Sequence, residues 1–164
     1  GDNADTHWIP NNESFANGVH WSANSYAGSA TGNEYNMGIT NGGGVDWALI
    51  NAYANQTDYW QAGAGGYLTN TGDSPSDFIA GASNGTNFRA LYDDGVQVAS
   101  DTTGTIHQTL TISLWAWDVH WPTRPGNNPS TDTMNFITIG EYLDSTEMAA
   151  LNNAIVTFNT TLGR

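Results

Sequence analysis

Between residues 18 and 143 the chain repeats one pattern. Short stretches rich in β-branched and aromatic residues are separated by clusters of Gly, Asn, Asp and Ser. The stretches are "GVHWSA" (18–23), "EYNMGIT" (34–40), "DYWQAG" (58–63), "DFIAGA" (77–82), "FRALY" (88–92), "VQVAS" (96–100), "IHQTLTISLWAW" (106–117) and "MNFITIGEYL" (134–143). Runs of this length bounded by turn formers read as strands, and many of them in succession without intervening helices read as an antiparallel sandwich or barrel. Between the fifth and sixth, "DDG" (93–95) predicts a tight hairpin turn with Gly95 at positive φ. Residues 45–54, "VDWALINAYA", fit either a strand or a helix, and 41–44 and 127–132 read as loops.

The period changes once, at the C-terminal end. Asp144 is placed to cap a helix with Glu147 three residues on, as in a capping box, and Met148, Leu151, Ile155 and Phe158 then recur at helical spacing. The expectation is a helix over about 145–158, docked through those four residues on the sandwich.

The alternation along 109–121 raises the first chemical question. Leu110, Ile112, Leu114 and Ala116 share one parity, that of a core face; Thr109, Thr111, Ser113, Trp115, Trp117, Val119 and Trp121 share the other. An unbroken strand therefore puts Trp115 and Trp117 on the face that begins with Thr and Ser. An indole displayed there can stack on the C–H face of a sugar ring. At about 25 cal/mol per Å², covering about 100 Å² contributes roughly 2.5 kcal/mol before entropic costs. Asp118, His120 and Arg124 stand beside the tryptophans to supply directional bonds, while Tyr59 and Trp60, next to Gly63, Gly65 and Gly66, form a second candidate platform. A bulge after Leu114 would instead turn Trp115 into the core, where Trp also commonly sits in sandwiches.

Charge narrows the partners. The chain of 164 residues carries a formal charge of −13, has no lysine, and has Arg89, Arg124 and Arg164 as its fixed cations. That balance offers no basic footprint for nucleic acid or for an anionic membrane surface, and no run of about 18 apolar residues suggests a membrane span. Cysteine is absent, so disulfides and thiolate chemistry are excluded. The length fits a single domain over 1–164, and a start at Gly1 rather than Met suggests a fragment of a longer chain.

Catalytic signals are weak. Gly81-Ala82-Ser83-Asn84-Gly85 matches the G-x-S-x-G pattern, but a nucleophile elbow needs a following helix, and a strand and hairpin follow here. Small residues in a turn explain the match. The glutamates Glu13, Glu34, Glu141 and Glu147 form no paired-carboxylate strand, and His7, His20, His107 and His120 show no zinc spacing. Asp93 and Asp94 are weak candidates for calcium, already accounted for by the turn.

From Ser76 onward the chain resembles the laminin-G-like or concanavalin A-like domains of bacteriophage tail and other virion proteins. The resemblance rests on "DFIAGASNGTNFRALYDDGVQVAS" (77–100) and on "ITIGEYLDSTEMAALNNAIVTFNTTLGR" (137–164), where a strand ending in "IG" leads to an acid-capped helix and "LGR". It implies an all-β fold, a two-sheet antiparallel jelly-roll β-sandwich with one C-terminal α-helix, and glycan recognition or a structural role on a virion. Enzymes share this architecture. The laminarinase-type acidic strand is absent, however, and the strand order and lysine of alginate lyases are not reproduced.

The expectation is thus a non-catalytic carbohydrate-binding domain on an extracellular or virion surface. Polysaccharide or cell-surface glycan would be its partner, with calcium as an optional cofactor. The alternatives are a virion structural or decoration domain that contacts its neighbours or further copies of itself, and a glycan-cleaving hydrolase or lyase with an unfamiliar site.

Overall fold

The computed structural model describes residues 4–5, 18–25, 37–40, 46–50, 57–62, 67–71, 78–102, 115–116, 119–120 and 134–163. Its strands are β1 (Ala4–Asp5), β2 (Val19–Ser25), β3 (Met37–Thr40), β4 (Asp46–Ile50), β5 (Thr57–Ala62), β6 (Leu68–Thr71), β7 (Phe78–Ser83), β8 (Arg89–Asp93), β9 (Val96–Asp101), β10 (Trp115–Ala116), β11 (Val119–His120) and β12 (Met134–Glu141), followed by the helix α1 (Ser145–Thr161). One sheet has the order β1-β10-β3-β4-β5-β6, with β11 also paired to β3; the other has the order β12-β2-β7-β8-β9. The chain crosses repeatedly between the two sheets. Strand pairing is antiparallel throughout except between β11 and β3. The ambiguous 45–54 stretch contributes a strand, β4, rather than a helix. Most of 106–117 lies outside the described residues, as do both predicted loops, 41–44 and 127–132.

In the five-stranded sheet the alternation is buried on both faces. The register aligns His20, Ser22 and Asn24 of β2 with Ala82, Ala80 and Phe78 of β7, and Ala82 and Ala80 with Ala90 and Tyr92 of β8. On this face Phe78, Ala80, Ala82, Ala90 and Tyr92 form a core cluster with Met148 and Ile155 of α1. Val19, Trp21, Ala23, Ile79 and Leu91 take the opposite parity and are equally buried. That face is the one left for the seven-stranded sheet, whose β4, β5 and β6 contact β7, β8 and β9. The layers are therefore sheet, sheet and helix, which explains why β7 reads "FIAGAS" with no residue left for water.

The turn and the helix lock together. Asp94 and Gly95 have φ of 47° and 78°, a two-residue turn of the type that matches strand twist. A Cβ on Gly95 would sit 2.9 Å from Cβ of Asn152 and 3.1 Å from Cα of Ala149, so glycine is required for backbone conformation and for helix approach alike. The helix starts as its sequence predicts. The Asp144 carboxylate accepts from the amides of Thr146 (2.8 Å) and Glu147 (2.9 Å), and the Glu147 carboxylate accepts from the Asp144 amide (3.0 Å).

Two details of α1 correct the sequence expectation. The helix runs to Thr161 rather than 158, and its buried stripe is Met148, Asn152, Ile155 and Asn159. Leu151 and Phe158 lie on a flank, and Phe158 is 48% exposed. The asparagines displace them because each meets a polar group of the sheet: Asn152 Nδ2 donates to the Asp94 carbonyl (2.7 Å) and Asn159 Nδ2 to Asn24 Oδ1 (3.0 Å).

Candidate functional site

The register of the larger sheet fixes where the aromatic candidates fall. Ala116 pairs with Met37 and Met37 with Leu49; on the next strands Leu49 pairs with Trp60 and Trp60 with Leu68. Met37 and Leu68 are buried, which makes this a core row. The adjacent row, of opposite parity, runs Asp5, Trp115, Gly38, Ala48 and Gln61. Tyr59 pairs with Thr69, which is exposed, and His120 pairs with Ile39, two residues from Met37 on the same strand. Along β6 the alternation is plain: Thr69 and Thr71 are exposed and Leu68 is buried. The rows thus separate Trp115 and Tyr59 from Trp60 and His120. Trp117, Asp118, Trp121 and Arg124 lie outside the described residues.

The other candidates resolve into structure. Ser83 is buried and donates to the Phe88 carbonyl (3.1 Å), while Asn84 Oδ1 accepts from the amides of Thr86, Asn87 and Phe88 at 3.0–3.1 Å. The G-x-S-x-G match is therefore the end of β7 and the start of the bend that leads into β8. Asp94 closes its turn from both ends: its amide donates to the Phe78 carbonyl (2.8 Å) and its Oδ1 accepts from the Phe78 amide (3.3 Å). Among the described residues no group of three or more His, Asp or Glu is gathered as a metal site.

Two polar features escaped sequence reasoning. Arg89, 1% exposed, pairs in bidentate fashion with Asp101 on the neighbouring strand, Nε to Oδ1 at 2.8 Å and Nη2 to Oδ2 at 2.7 Å. His20 links β2 to β12: its Nδ1 donates to the Glu141 carbonyl (2.6 Å), and its Nε2 accepts from the Thr138 hydroxyl (3.0 Å), which also bonds Ser22. Burial holds the His20 imidazole below the ordinary histidine range, partly opposed by the Glu141 carbonyl, so the ring is neutral near pH 7. A signal existed for this pair of strands: "HWS" and "TIG" place His20 and Ser22 beside Thr138 only in the observed register. Gly140 opposes His20, and a Cβ there would lie 2.7 Å from the ring's Cε1.

Comparison with known proteins adds the fold and no family. No family model matches the chain, and no curated protein matches it either. Among solved structures, the Ruminococcus gnavus IT-sialidase CBM40 bound to α2,3-sialyllactose is similar with a TM-score of 0.60 at 14% identity, over 83% of this chain and 82% of that one. Trypanosoma rangeli sialidase in complex with sialic acid is similar with a TM-score of 0.63 at 13% identity, over 84% of this chain and 23% of that one. The binding domain of botulinum neurotoxin DC in complex with SialylT gives a TM-score of 0.55 at 10% identity, over 85% of this chain and 36% of that one. The chain also spans 40% of the structure called HCR/D-Sa-GBL1/C, at 11% identity. These likenesses establish a two-sheet β-sandwich fold.

Proposed function

We propose that the chain is a non-catalytic carbohydrate-binding domain that holds glycan against aromatic residues of the seven-stranded sheet, centred on the segment Trp115–Trp121. The observation that carries the reading is the row of Trp115. It is in register with Gly38 and Ala48 and of opposite parity to the buried Met37, which supports an outward-facing Trp115. Small neighbours in that row leave room for a sugar ring beside an indole. Tyr59, opposite the exposed Thr69, shares the parity of Gln61 in that row, and Trp117, just past the end of β10, is included by its proximity in sequence. His120 and Trp60, in rows that include Ile39 and Leu68, have the weaker case. Asp118, Trp121 and Arg124 are proposed contacts by their proximity in sequence.

The fold supports the reading. The similarity to the CBM40 structure covers 83% of this chain and 82% of that one, and that protein is bound to α2,3-sialyllactose. Glycans displayed on extracellular or virion surfaces are the natural setting for such a domain.

A glycan array that includes neutral polysaccharides and sialylated oligosaccharides, run with and without calcium, tests the proposal. The expected outcome is a specific signal that falls at least ~10-fold in Trp115→Ala and Trp117→Ala, equivalent to about 1.4 kcal/mol or more, with unchanged circular dichroism. Since the chain is strongly acidic, an anionic glycan would be held best when calcium bridges it. Wild-type protein that binds no glycan under either condition would overturn the assignment.

A further inference from the structure

The stretch "YLTNT" (67–71), which leads into and forms β6, sends only Leu68 to the core. Tyr67 is 54% exposed, and Thr69 and Thr71 are exposed as well. Period-two alternation puts these three on one face of the sheet. The register with β5 sets Thr57 opposite Thr71 and Tyr59 opposite Thr69, and one further step along it sets Gln61 opposite Tyr67. The ladder of these positions therefore carries phenols, threonine hydroxyls and one amide, none of them charged at pH 7. Asp58, which alternates with them on β5, has the opposite parity and pairs with Asn70.

We propose that this ladder is a subsite for an uncharged glycan chain, with Tyr67 as its stacking residue, and that the domain discriminates against anionic glycans. The inference rests on the glycan reading above and narrows it to a substrate class. Hydroxyl, phenol and primary amide each both donate and accept, which is what a sugar hydroxyl requires of its partner. An exposed phenol ring offers flat apolar area to the C–H face of a pyranose and keeps its own hydroxyl in water. An anion would find no cation in the ladder. The three arginines of the chain stand against 16 Asp and Glu, and there is no lysine. Arg89 is buried and paired with Asp101 in the other sheet, and Arg124 comes with Asp118 among the candidate contacts. The field of a chain at −13 then opposes a carboxylate that must also lose water on binding. Among the described residues β6 is the last strand of its sheet, so a ligand can run along it without meeting a further strand. Tyr67 to Thr71 spans about 13 Å at the rise of an antiparallel strand, a length that suits an oligosaccharide rather than a single ring.

Isothermal titration calorimetry of the whole chain in EDTA tests this. The neutral probes are oligosaccharides of glucose, xylose, mannose and galactose, and the carboxylated probes are sialyllactose and oligogalacturonate. At least one neutral probe should bind, with both carboxylated probes weaker by ~10-fold or more. Tyr67→Ala should weaken the neutral probe by ~5-fold or more, whereas Tyr67→Phe, which keeps the ring, should stay within ~2-fold of wild type. Val96→Ala, 65% exposed on β9 of the other sheet, should leave the affinity unchanged. All of these positions are exposed, so the variants should keep the wild-type circular dichroism. A carboxylated probe bound in EDTA as tightly as any neutral one would overturn the charge selection and leave the glycan reading standing. Neutral binding that Tyr67→Ala leaves within ~2-fold would remove the ladder as the subsite, again without touching the broader reading. Absence of binding by every probe would overturn both.

Discussion

The two sheets apply one alternation to different ends. In β2 of the five-stranded sheet, His20, Trp21 and Ser22 are all buried, because α1 and its neighbouring side chains close one face and the seven-stranded sheet closes the other. In and just before β6 of the seven-stranded sheet, Leu68 is buried while Tyr67, Thr69 and Thr71 are exposed, so one side of the strand faces solvent. An aromatic residue in the first setting is core whatever its parity. In the second setting its parity decides whether it meets the core or the solvent. Trp21, in the first setting, is fully buried. The closed sheet carries stability, and the half-open sheet is free to carry recognition.

If the closed sheet is the source of stability, its buried polar groups are where the comparison breaks most sharply. Removing the Arg89 side chain leaves Asp101, still one-third exposed, without its bidentate partner and opens space beside the buried Ser83. Arg89→Ala should destabilise the fold by roughly 2–4 kcal/mol, since it removes a fully buried side chain together with its charge-assisted bidentate pair. Asp101→Ala removes the acceptor but leaves a guanidinium that is 1% exposed, so its effect should be at least as large. Urea denaturation of both variants measures the difference. Loss of less than ~1 kcal/mol in either would place the stability elsewhere.

Much of this half was legible beforehand, and the reasons are local. The Asp94-Gly95 turn and the Asp144-x-x-Glu147 cap are set by chemistry within a few residues, so the sequence places them correctly. Stretches 77–82, 88–92 and 96–100 appear as β7, β8 and β9 with boundaries shifted by about a residue. The helix face was misjudged because hydrophobic spacing favours Leu151 and Phe158, whereas Asn152 and Asn159 are buried through partners 58 and 135 residues away in sequence. The Arg89–Asp101 pair and the His20–Thr138 link depend on register across strands, which no single strand reveals. The strands β1 and β6 went unforeseen because β1 is two residues long and β6, "LTNT", has one strongly apolar residue. For the candidate site, 109–121 is not the single strand that its alternation predicts: β10 runs antiparallel to β3 and β11 parallel to it, a change of pairing that alternation along one stretch does not signal.

His20 sharpens the comparison through pH. Its folded-state affinity for protons is lowered by burial, whereas in the unfolded chain it has the ordinary value of 6.5. The unfolded state therefore binds more protons below pH 6.5. The stability that the neutral ring contributes is complete above that value and is lost as pH falls through the lower folded-state value. Protonation also turns Nε2 from an acceptor into a donor toward Thr138. His20→Gln should cost about 1–2 kcal/mol at pH 7 through weakened hydrogen bonds. It should also flatten the decline in Tm that the wild type shows below pH 6.5. An equal decline in both proteins would show that His20 is not its source.

The smallest expected effect has the opposite sign. Tyr92 is fully buried in the cluster beneath α1, and its hydroxyl has no hydrogen-bond partner among the described residues. A phenol that gives up water without a replacement raises the energy of the native state, while its ring packs as phenylalanine would. Tyr92→Phe should therefore leave stability unchanged or raise it by up to about 1 kcal/mol, in contrast to Arg89 and His20, whose polar atoms are satisfied. The alkaline limb supplies a second readout. Burial, with the negative charges that Tyr142 and Asp144 can carry nearby, pushes the Tyr92 phenol from 10.0 up to about 12. The native state thus holds a proton that the unfolded chain releases, and its contribution is complete below pH 10 and lost as pH rises toward 12. The phenylalanine variant lacks that loss, so its advantage over wild type should widen above pH 10. A variant destabilised at pH 7 would mean that the hydroxyl is bonded in the folded protein.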